Sequence, residues 1–287
     1  MGRVAAILLA LLVGACLAAP LYAAHVSGTD PFRTNVLGAL PDGAPVMEAL
    51  PGQLGAVPVG PGWRGAYALG ADGLGRDVAA RLLYGGRASL AIAAGATLIC
   101  LTLAAVLGVL AGFLAGPVDA VIAGGLDLLW AFPVTLLAIC LAAVLVGSEQ
   151  GGSLLIPAGI LSVVYIPYVA RPIRAQVAGL RHAEFVTAAR ATGAAPTRVL
   201  IRHILPQLRG TLLAFLPLVA GMVLLTEASL SVLSIGVQAP HASWGTLLSD
   251  GQALVSSRPL VAIAPGVLIL ITVLCLNVLA STTKQRP

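Results

Sequence analysis

The stretch Glu184–Gln207 reads EFVTAARATGAAPTRVLIRHILPQ and interrupts a chain that is otherwise built from long apolar runs. The surrounding window, Arg171–Arg209, holds seven of the 16 basic residues and a single acid, Glu184. Of the 287 residues, 59% are hydrophobic and 9% are charged, and the mean hydropathy is +0.99. Soluble domains are about 45–50% apolar and about 25% charged. The composition therefore indicates a membrane protein.

Six apolar stretches approach or exceed the roughly 20 residues that a helix needs to cross the hydrocarbon core. They are Val4–Ala24, Ala88–Val118, Leu128–Val146, Leu154–Ala170, Thr211–Ile235 and Leu260–Ala280. The first stretch has the alternative of being a cleaved signal peptide. Its apolar run is longer than the roughly 7–15 residues of a signal h-region, so we expect a retained helix.

The basic residues set the expected orientation, because short cytoplasmic loops carry an excess of Lys and Arg. The window 171–209 carries seven Arg against one acid, whereas segment 25–87 carries five Arg against five acids. We therefore expect 171–209 and both termini to be cytoplasmic. The predicted organisation is a first helix at 1–24, an external loop at 25–87 that is mostly irregular over 28–70, a transmembrane domain at 88–281 with a cytoplasmic coupling loop at 171–209, and a tail at 282–287. The net charge of +5 does not indicate a nucleic-acid partner, because the charges lie at the ends of apolar runs.

The basic window has the signals of a folded element. His182–Thr192 contains good helix formers without Gly or Pro. Gly193 stands where a helix end favours a left-handed residue, and Pro196 can open a second helix. Pro206 is expected to interrupt that helix before the next span.

Two interpretations of the basic window compete. A topology signal needs arginines near the ends of spans but no ordered shape. The predicted second helix places Arg198 and Arg202 four residues apart on one face, with His203 beside them. An ordered helix, glycine turn and helix indicate a docking surface for a partner.

The segment AARATGAAPTRVLIRHILP resembles the cytoplasmic EAA loop of permease subunits in binding-protein-dependent ABC importers. That family pattern runs E-A-A, three residues, Gly, nine residues, I-x-L-P. Ala188, Ala189, Gly193, Leu205 and Pro206 match it at the correct spacing.

Two positions depart from the pattern: Thr187 stands for the family Glu and His203 for the Ile. Both departures resemble the dipeptide, oligopeptide and nickel subfamily. Leu69–Leu90, LGADGLGRDVAARLLYGGRASL, is similar to a segment before the second span of its C-type permeases. Asp127–Ile139 and Thr226–Gly251 also resemble that subfamily.

The resemblance implies an all-α polytopic protein with six transmembrane helices and the architecture of a type I ABC importer permease, in a bacterial-type inner membrane. It also implies import of peptides or similar small solutes, with a second permease subunit, two cytoplasmic ATPases and an extracytoplasmic solute-binding protein as partners, in contact with membrane lipid. The residues expected to couple to the ATPases are Glu184, Ala188, Ala189, Arg190, Gly193, Arg198, Arg202, His203 and Pro206.

The residues predict no catalytic or metal site in this chain. The only lysine, Lys284, is followed by Gln285, so there is no Walker A loop. ATP and Mg²⁺ are therefore expected on partner subunits, with no cofactor bound here. Motifs of an intramembrane enzyme do not appear. A secondary transporter driven by an ion gradient is the alternative, but it would leave the basic loop unexplained.

Three further features are candidates for a role. Glu227 lies in an apolar span toward its outer end, where it either pairs two helices or lines the pathway. Asp127 lies near an inner span end, where we expect it to be solvated or paired with Arg. Gly75, Arg76 and Asp77 are expected to fix the external segment against the second span or the delivery protein; the alternative is that Arg76 and Asp77 merely pair with each other.

Small residues along the second and third spans are expected to let helices approach closely. They are Gly95, Gly108, Gly112, Gly124 and Gly125.

Overall fold

The computed structural model describes residues 1–49, 55–62, 65–146, 154–238 and 240–284, and this part of the chain is mainly helical. The helices are α1 (Gly2–Leu17), α2 (Ala19–Tyr22), α3 (Val78–Leu114), α4 (Gly116–Trp130), α5 (Val134–Val146), α6 (Leu155–Val164), α7 (Ile166–Leu180), α8 (Glu184–Ala191), α9 (Pro196–Val199), α10 (Arg209–Val232), α11 (Trp244–Gln252) and α12 (Leu260–Lys284). Strands β1 (Met47–Ala49) and β2 (Ala56–Pro58) form an antiparallel hairpin. Ala23–Ser27 and Leu200–Ile204 are π-helical, and Leu205–Leu208 is a 3-10 turn.

The described helices match a polytopic membrane protein. Three are long and apolar enough to span a bilayer: Val78–Leu114, Pro196–Val232 and Leu260–Thr282. Three bent pairs raise the number to as many as six, if each pair is one span. They are Gly2–Leu17 with Ala19–Ser27, Gly116–Trp130 with Val134–Leu145, and Leu155–Val164 with Ile166–Leu180. The predicted all-α class is confirmed.

Several predicted spans differ from the structure: the first and fourth are bent pairs, with angles of 52° and 42°, and the second and third also differ. Helix α3 begins at Val78 rather than Ala88, because Asp77 caps its first turn by accepting hydrogen bonds from backbone N–H groups. The expected third span, Leu128–Val146, is not one straight helix, since α4 and α5 meet at 92°. Pro133 explains the break: it lacks an N–H donor and disfavours helical geometry in the residue before it. The expected outer turn at 147–153 lies outside the described residues.

Helix α3 lies at the centre of the bundle, where it packs against α1, α6, α7 and α10. Its buried face includes Ile92, Ala96, Cys100 and Ala104, each four residues after the last. The small side chains on this face let neighbouring helices come close on several sides.

Two glycines extend that face toward α7. A Cβ on Gly108 would lie 2.8 Å from the carbonyl oxygen of Ala170, and one on Gly112 would lie 2.6 Å from that of Arg174. The predicted close approach is therefore present at these two positions. It is wrong for Gly95, Gly124 and Gly125, where a Cβ would meet no atom within 4 Å.

The described residues between 28 and 77, here called the cap, contain a small packed unit. Val46, Val59, Tyr67 and Ala71 form a small buried cluster beside the β1–β2 hairpin. The expectation of a mostly irregular loop did not include the β1–β2 hairpin. The sequence of this segment has no sustained periodicity, so the two strands could not be recognised from it.

An arginine attaches the cap to the start of α12. Arg258 Nε donates to the carbonyl oxygen of Pro58 at 2.6 Å, and Arg258 Nη2 lies 3.0 Å from Glu48 Oε2. The hairpin is thereby held to the loop between α11 and α12.

Replacing Gly112 with Ala should lower the thermal stability of the chain in mild detergent. The added methyl would overpack the contact with the α7 backbone, which typically costs about 1–3 kcal/mol. The matched control is Gly124→Ala, where the open surface and the better helix propensity of Ala should give no loss or a gain of up to about 1 kcal/mol. Equal stability of the two variants would contradict the close contact.

Candidate functional site

The basic loop folds as a helix, a glycine turn and a second helix, as its sequence predicts. Helix α8 ends at Ala191, and Gly193 has φ +81°, in the left-handed region. The Gly193 N–H donates to the carbonyl oxygen of Arg190 at 2.9 Å, which closes the helix end. Pro196 is the first residue of α9.

The expected stop at Pro206 is wrong, because the helical path continues from Pro196 to Val232. The chain widens into the π-helical turn at Leu200–Ile204 and tightens into the 3-10 turn at Leu205–Leu208. Pro206 lacks an N–H and would clash with the carbonyl four residues earlier in a regular helix. The local change of pitch relieves both problems without ending the helix.

The loop has an inner and an outer face. Its inner face consists of Val186, Val199, Ile204 and Leu208, all fully or nearly fully buried. Of the predicted coupling residues, Glu184, Ala188, Arg190, Gly193, Arg198 and Arg202 are exposed, and Ala189, His203 and Pro206 are half-buried. Three large apolar side chains of the loop are also exposed, Phe185 at 42%, Ile201 at 62% and Leu205 at 39%. Sequence reasoning missed Phe185 and Ile201.

The arginines of the window divide into two groups. Arg171 and Arg174 form ion pairs with Asp127 and Asp119, which hold α7 against α4. The pairing of Asp127 matches the Arg-paired expectation. The other group has no carboxylate within ion-pair distance in the described part of the chain, and it consists of Arg181, Arg190, Arg198, Arg202 and Arg209. Most of the positive charge of the window is therefore free to meet a partner.

Glu227 is buried at a junction of three helices. It accepts hydrogen bonds from Ser89 Oγ of α3 at 3.1 Å and from Ser231 Oγ of α10 at 2.8 Å. Ser89 Oγ in turn accepts from the backbone N–H of Trp244, at the start of α11. With 1% exposure, Glu227 matches the helix-pairing alternative.

Four charged side chains form a ring between the cap, α3 and α11. Arg76 Nε lies 2.7 Å and Arg81 Nε 3.2 Å from Asp72 Oδ2. Both arginines also approach Asp250 Oδ2 at 3.2 Å through Nη2. Asp72, Arg76 and Arg81 are buried, so each charge depends on its partners for solvation. Sequence reasoning missed Asp72, Arg81 and Asp250. Asp250 is about 170 residues from the two arginines that it contacts.

Arg76 and Asp77 do not pair with each other, and each instead joins the external segment to helices, Arg76 to Asp250 of α11 and Asp77 to the first turn of α3. Arg76 belongs to the charged ring, whereas Asp77 caps α3 and accepts from Ser27 Oγ and from the Tyr67 N–H. The two side chains therefore have different partners. Gly75, directly before them in sequence, has φ +72°, and a Cβ there would lie 2.5 Å from the Asn35 carbonyl oxygen.

The residues so far define a class: a helical membrane protein with a basic, outward-facing loop at one end of its bundle and a charged, folded cap at the other. No group of three or more potential metal ligands occurs among the residues that the structure describes. This arrangement can support the docking of a partner and the movement of helices.

Residues 104–286 match the family described as binding-protein-dependent transport system inner membrane component. The chain belongs to this family, and it is an inner-membrane permease subunit of a binding-protein-dependent ABC importer.

Curated relatives agree with the family match. The chain is 36% identical to the glutathione transport system permease protein GsiD of Pectobacterium atrosepticum over 76% of this chain and 70% of the relative. It is 35% identical to the dipeptide permease DppC of Alkalihalophilus pseudofirmus, over 75% and 69%. It is 34% identical to the nickel permease NikC of Escherichia coli K12, over 76% and 77%.

Solved structures show the same fold. An inward-facing form of the MetNI methionine ABC transporter aligns with a TM-score of 0.57 at 18% identity, covering 70% of this chain and 93% of that one. An amino acid ABC transporter crystallised with histidines gives 0.57 at 17% identity, covering 72% and 94%. The predicted permease architecture and its transport, rather than enzymatic, role are confirmed, and the ion-gradient alternative finds no support.

Reversing the charges of both Arg76 and Asp77 should not restore the stability lost in either single reversal, because each residue has its own partners. Loss of the Asp77 cap costs about 1 kcal/mol, and breaking the buried ion pairs of Arg76 costs about 3 kcal/mol or more. The measurement is thermal unfolding of Arg76→Asp, Asp77→Arg and the double variant, with Arg33→Asp on the exposed cap surface as control. Recovery in the double variant would restore the pairing hypothesis.

Replacing Glu227 with Gln should leave the fold intact, since the amide keeps polar atoms for the hydroxyls of Ser89 and Ser231. Replacing it with Leu should cost about 1–3 kcal/mol, because the buried hydroxyls lose their acceptor. Thermal unfolding separates the two variants, and substrate uptake by the assembled importer should follow the same order. Loss of uptake in Glu227→Gln at full stability would favour the pathway role instead.

Proposed function

We propose that this permease imports peptides or similar small solutes and couples to its ATPases through the loop 184–206. The relatives named for dipeptide, oligopeptide, glutathione and nickel transport support this cargo class. The outer face of the loop is the observation that carries the coupling role.

That face combines charge with apolar anchors. Arg190, Arg198 and Arg202 are exposed and have no acidic partner among the described residues, and Phe185 and Ile201 stand exposed beside them. The ring centroids of Phe185 and His203 are 6.5 Å apart, so the faces of α8 and the following helical segment adjoin. Such a surface fits a cleft with an apolar floor and an acidic rim, where each desolvated charged hydrogen bond contributes about 1.5–3 kcal/mol.

The same surface supports the orientation. The window 171–209 is the most basic segment of the chain, so its placement in the cytoplasm, with both termini, follows the positive-inside rule. The cap then lies outside, where a solute-binding protein would deliver cargo. ATP and Mg²⁺ belong to two ATPase subunits on the cytoplasmic side, this chain binds no cofactor, and a second permease completes the translocation pathway.

An affinity pull-down of the tagged chain from gently solubilised membranes tests the coupling role. Gly193→Arg should lose the co-purifying ATPase, because the left-handed backbone strains any side chain and the turn sets the angle between α8 and α9. Gly179→Arg is the matched control: it adds the same charge at an exposed glycine of α7, where a Cβ meets no atom within 4 Å. The ATPase is identified by mass spectrometry from its nucleotide-binding peptides.

Wild type and Gly179→Arg should retain the ATPase. If a folded wild-type chain brings down no ATPase, or if Gly193→Arg retains it fully, the loop is not the coupling element.

A further inference from the structure

A cavity of about 510 Å³ lies where α1 passes the cap-side part of α3. Val13 and Leu17 of α1, Leu90 and Ala91 of α3, and Leu154 before α6 give it mostly apolar walls. The contact between Cys16 and Gly86 holds the two helices together at its edge, where a Cβ on Gly86 would collide with the sulfur. The cavity is therefore a seam between α1 and the helices of the central bundle.

The rim of this seam is cationic and aromatic. Arg87 is exposed, lies over the ring of Tyr84 at 5.5 Å from its centroid, and has no carboxylate within ion-pair distance among the described residues. The Phe32 ring packs edge-on against Tyr84 at 5.2 Å and against His241 at 6.0 Å. Aromatic residues and a basic side chain are the usual lining of a membrane–water interface.

The length of α3 places this rim at the depth of lipid headgroups. At about 1.5 Å per residue, its 37 residues extend to roughly 55 Å, well beyond a hydrocarbon core of about 30 Å. With Leu114 at the opposite face, roughly 20–23 residues cross the core, which puts its near boundary at 91–94. Arg87 then lies about 5–10 Å outside the hydrocarbon, in the headgroup layer.

Below the rim, the exposed face of α3 continues as an apolar stripe. Ala91, Leu98, Val106 and Leu110 are all exposed along it. Charge at headgroup depth followed by apolar surface at hydrocarbon depth matches the polarity of one phospholipid molecule.

We propose that the seam between α1 and α3 is a binding site for a phospholipid, with its phosphate on Arg87 and an acyl chain against Val13, Leu17 and Leu90. The orientation proposed above places this lipid in the outer leaflet, but its binding does not depend on that orientation. The lipid fills space that the protein leaves open and neutralises an arginine that has no described acidic partner. It thereby fastens α1 to the bundle.

Native mass spectrometry of the full chain, titrated with phosphatidylglycerol in mild detergent, tests the site. Wild type should retain one lipid tightly. Arg87→Gln should weaken that binding roughly tenfold, as expected for a lost charge-assisted contact, whereas Arg87→Lys should keep most of it. Arg33→Gln removes an equivalent exposed charge from the cap outside the seam and should bind like wild type.

A second variant tests the apolar part. Ala91→Phe would fill the seam and should abolish tight retention, while Ala120→Phe on the exposed surface of α4 should not. Size-exclusion elution at the wild-type position shows that each variant is folded. Unchanged lipid binding in both Arg87→Gln and Ala91→Phe would overturn the site.

Competition separates a lipid from other ligands. Glycerol 3-phosphate and dialanine, each at millimolar concentration, should not displace the lipid. Displacement by glycerol 3-phosphate would show a headgroup-only anion site, and displacement by dialanine would show a cargo vestibule. Either result would overturn the phospholipid proposal.

Discussion

The contact between the backbones of α3 and α7 is the constraint on which the rest of the bundle depends. A bilayer offers no hydrophobic gain for bringing two apolar helices together, so association relies on close packing and polar contacts. Gly108 and Gly112 provide that packing, since α7 carbonyl oxygens occupy the places that their side chains would take. Once α7 is held there, Arg171 and Arg174 in its middle reach the aspartates of α4, and the basic loop that follows emerges at a defined place.

Charged groups lie at both ends of the bundle, and their charges are balanced in different ways at the two ends. At the cap end, Asp72, Arg76, Arg81 and Asp250 neutralise one another, and Glu227 is held by serine hydroxyls. Buried charges of this kind are costly unless they are fully paired, so they favour one arrangement of the cap on α3 and α11. At the loop end most arginines are exposed without described acidic partners. The buried charges of the cap end are therefore paired within the chain, whereas most arginines of the loop end present their charge to the surroundings.

The loop could be predicted from sequence because its signals are local. Gly193 and Pro196 each act on the backbone within a few residues, and the structure has both where the pattern indicates. The effect of Pro206 was predicted wrongly. It depends on whether the helix can change pitch before the proline, and no single residue type predicts that. The five glycines of the second and third spans look alike in sequence, yet only Gly108 and Gly112 meet a neighbouring backbone. The charged ring could not be predicted, because Asp250 joins its partners only in the folded chain.

The basic loop and Glu227 lie on one helical path, which continues past Pro206 because the helix changes pitch there. A helical segment runs from Pro196 to Val232, so the loop and the buried acid belong to one continuous element. Continuity alone does not establish coupling between two sites. The π-helical and 3-10 turns at 200–208 interrupt the uniform helix between the exposed outer face of the loop and a span held at Glu227. A displacement of the loop is thus either absorbed at these turns or passed to the span, and the stiffness of the turns decides which. Pro206, expected to be a stop, lies in the 3-10 turn that joins the loop to the span.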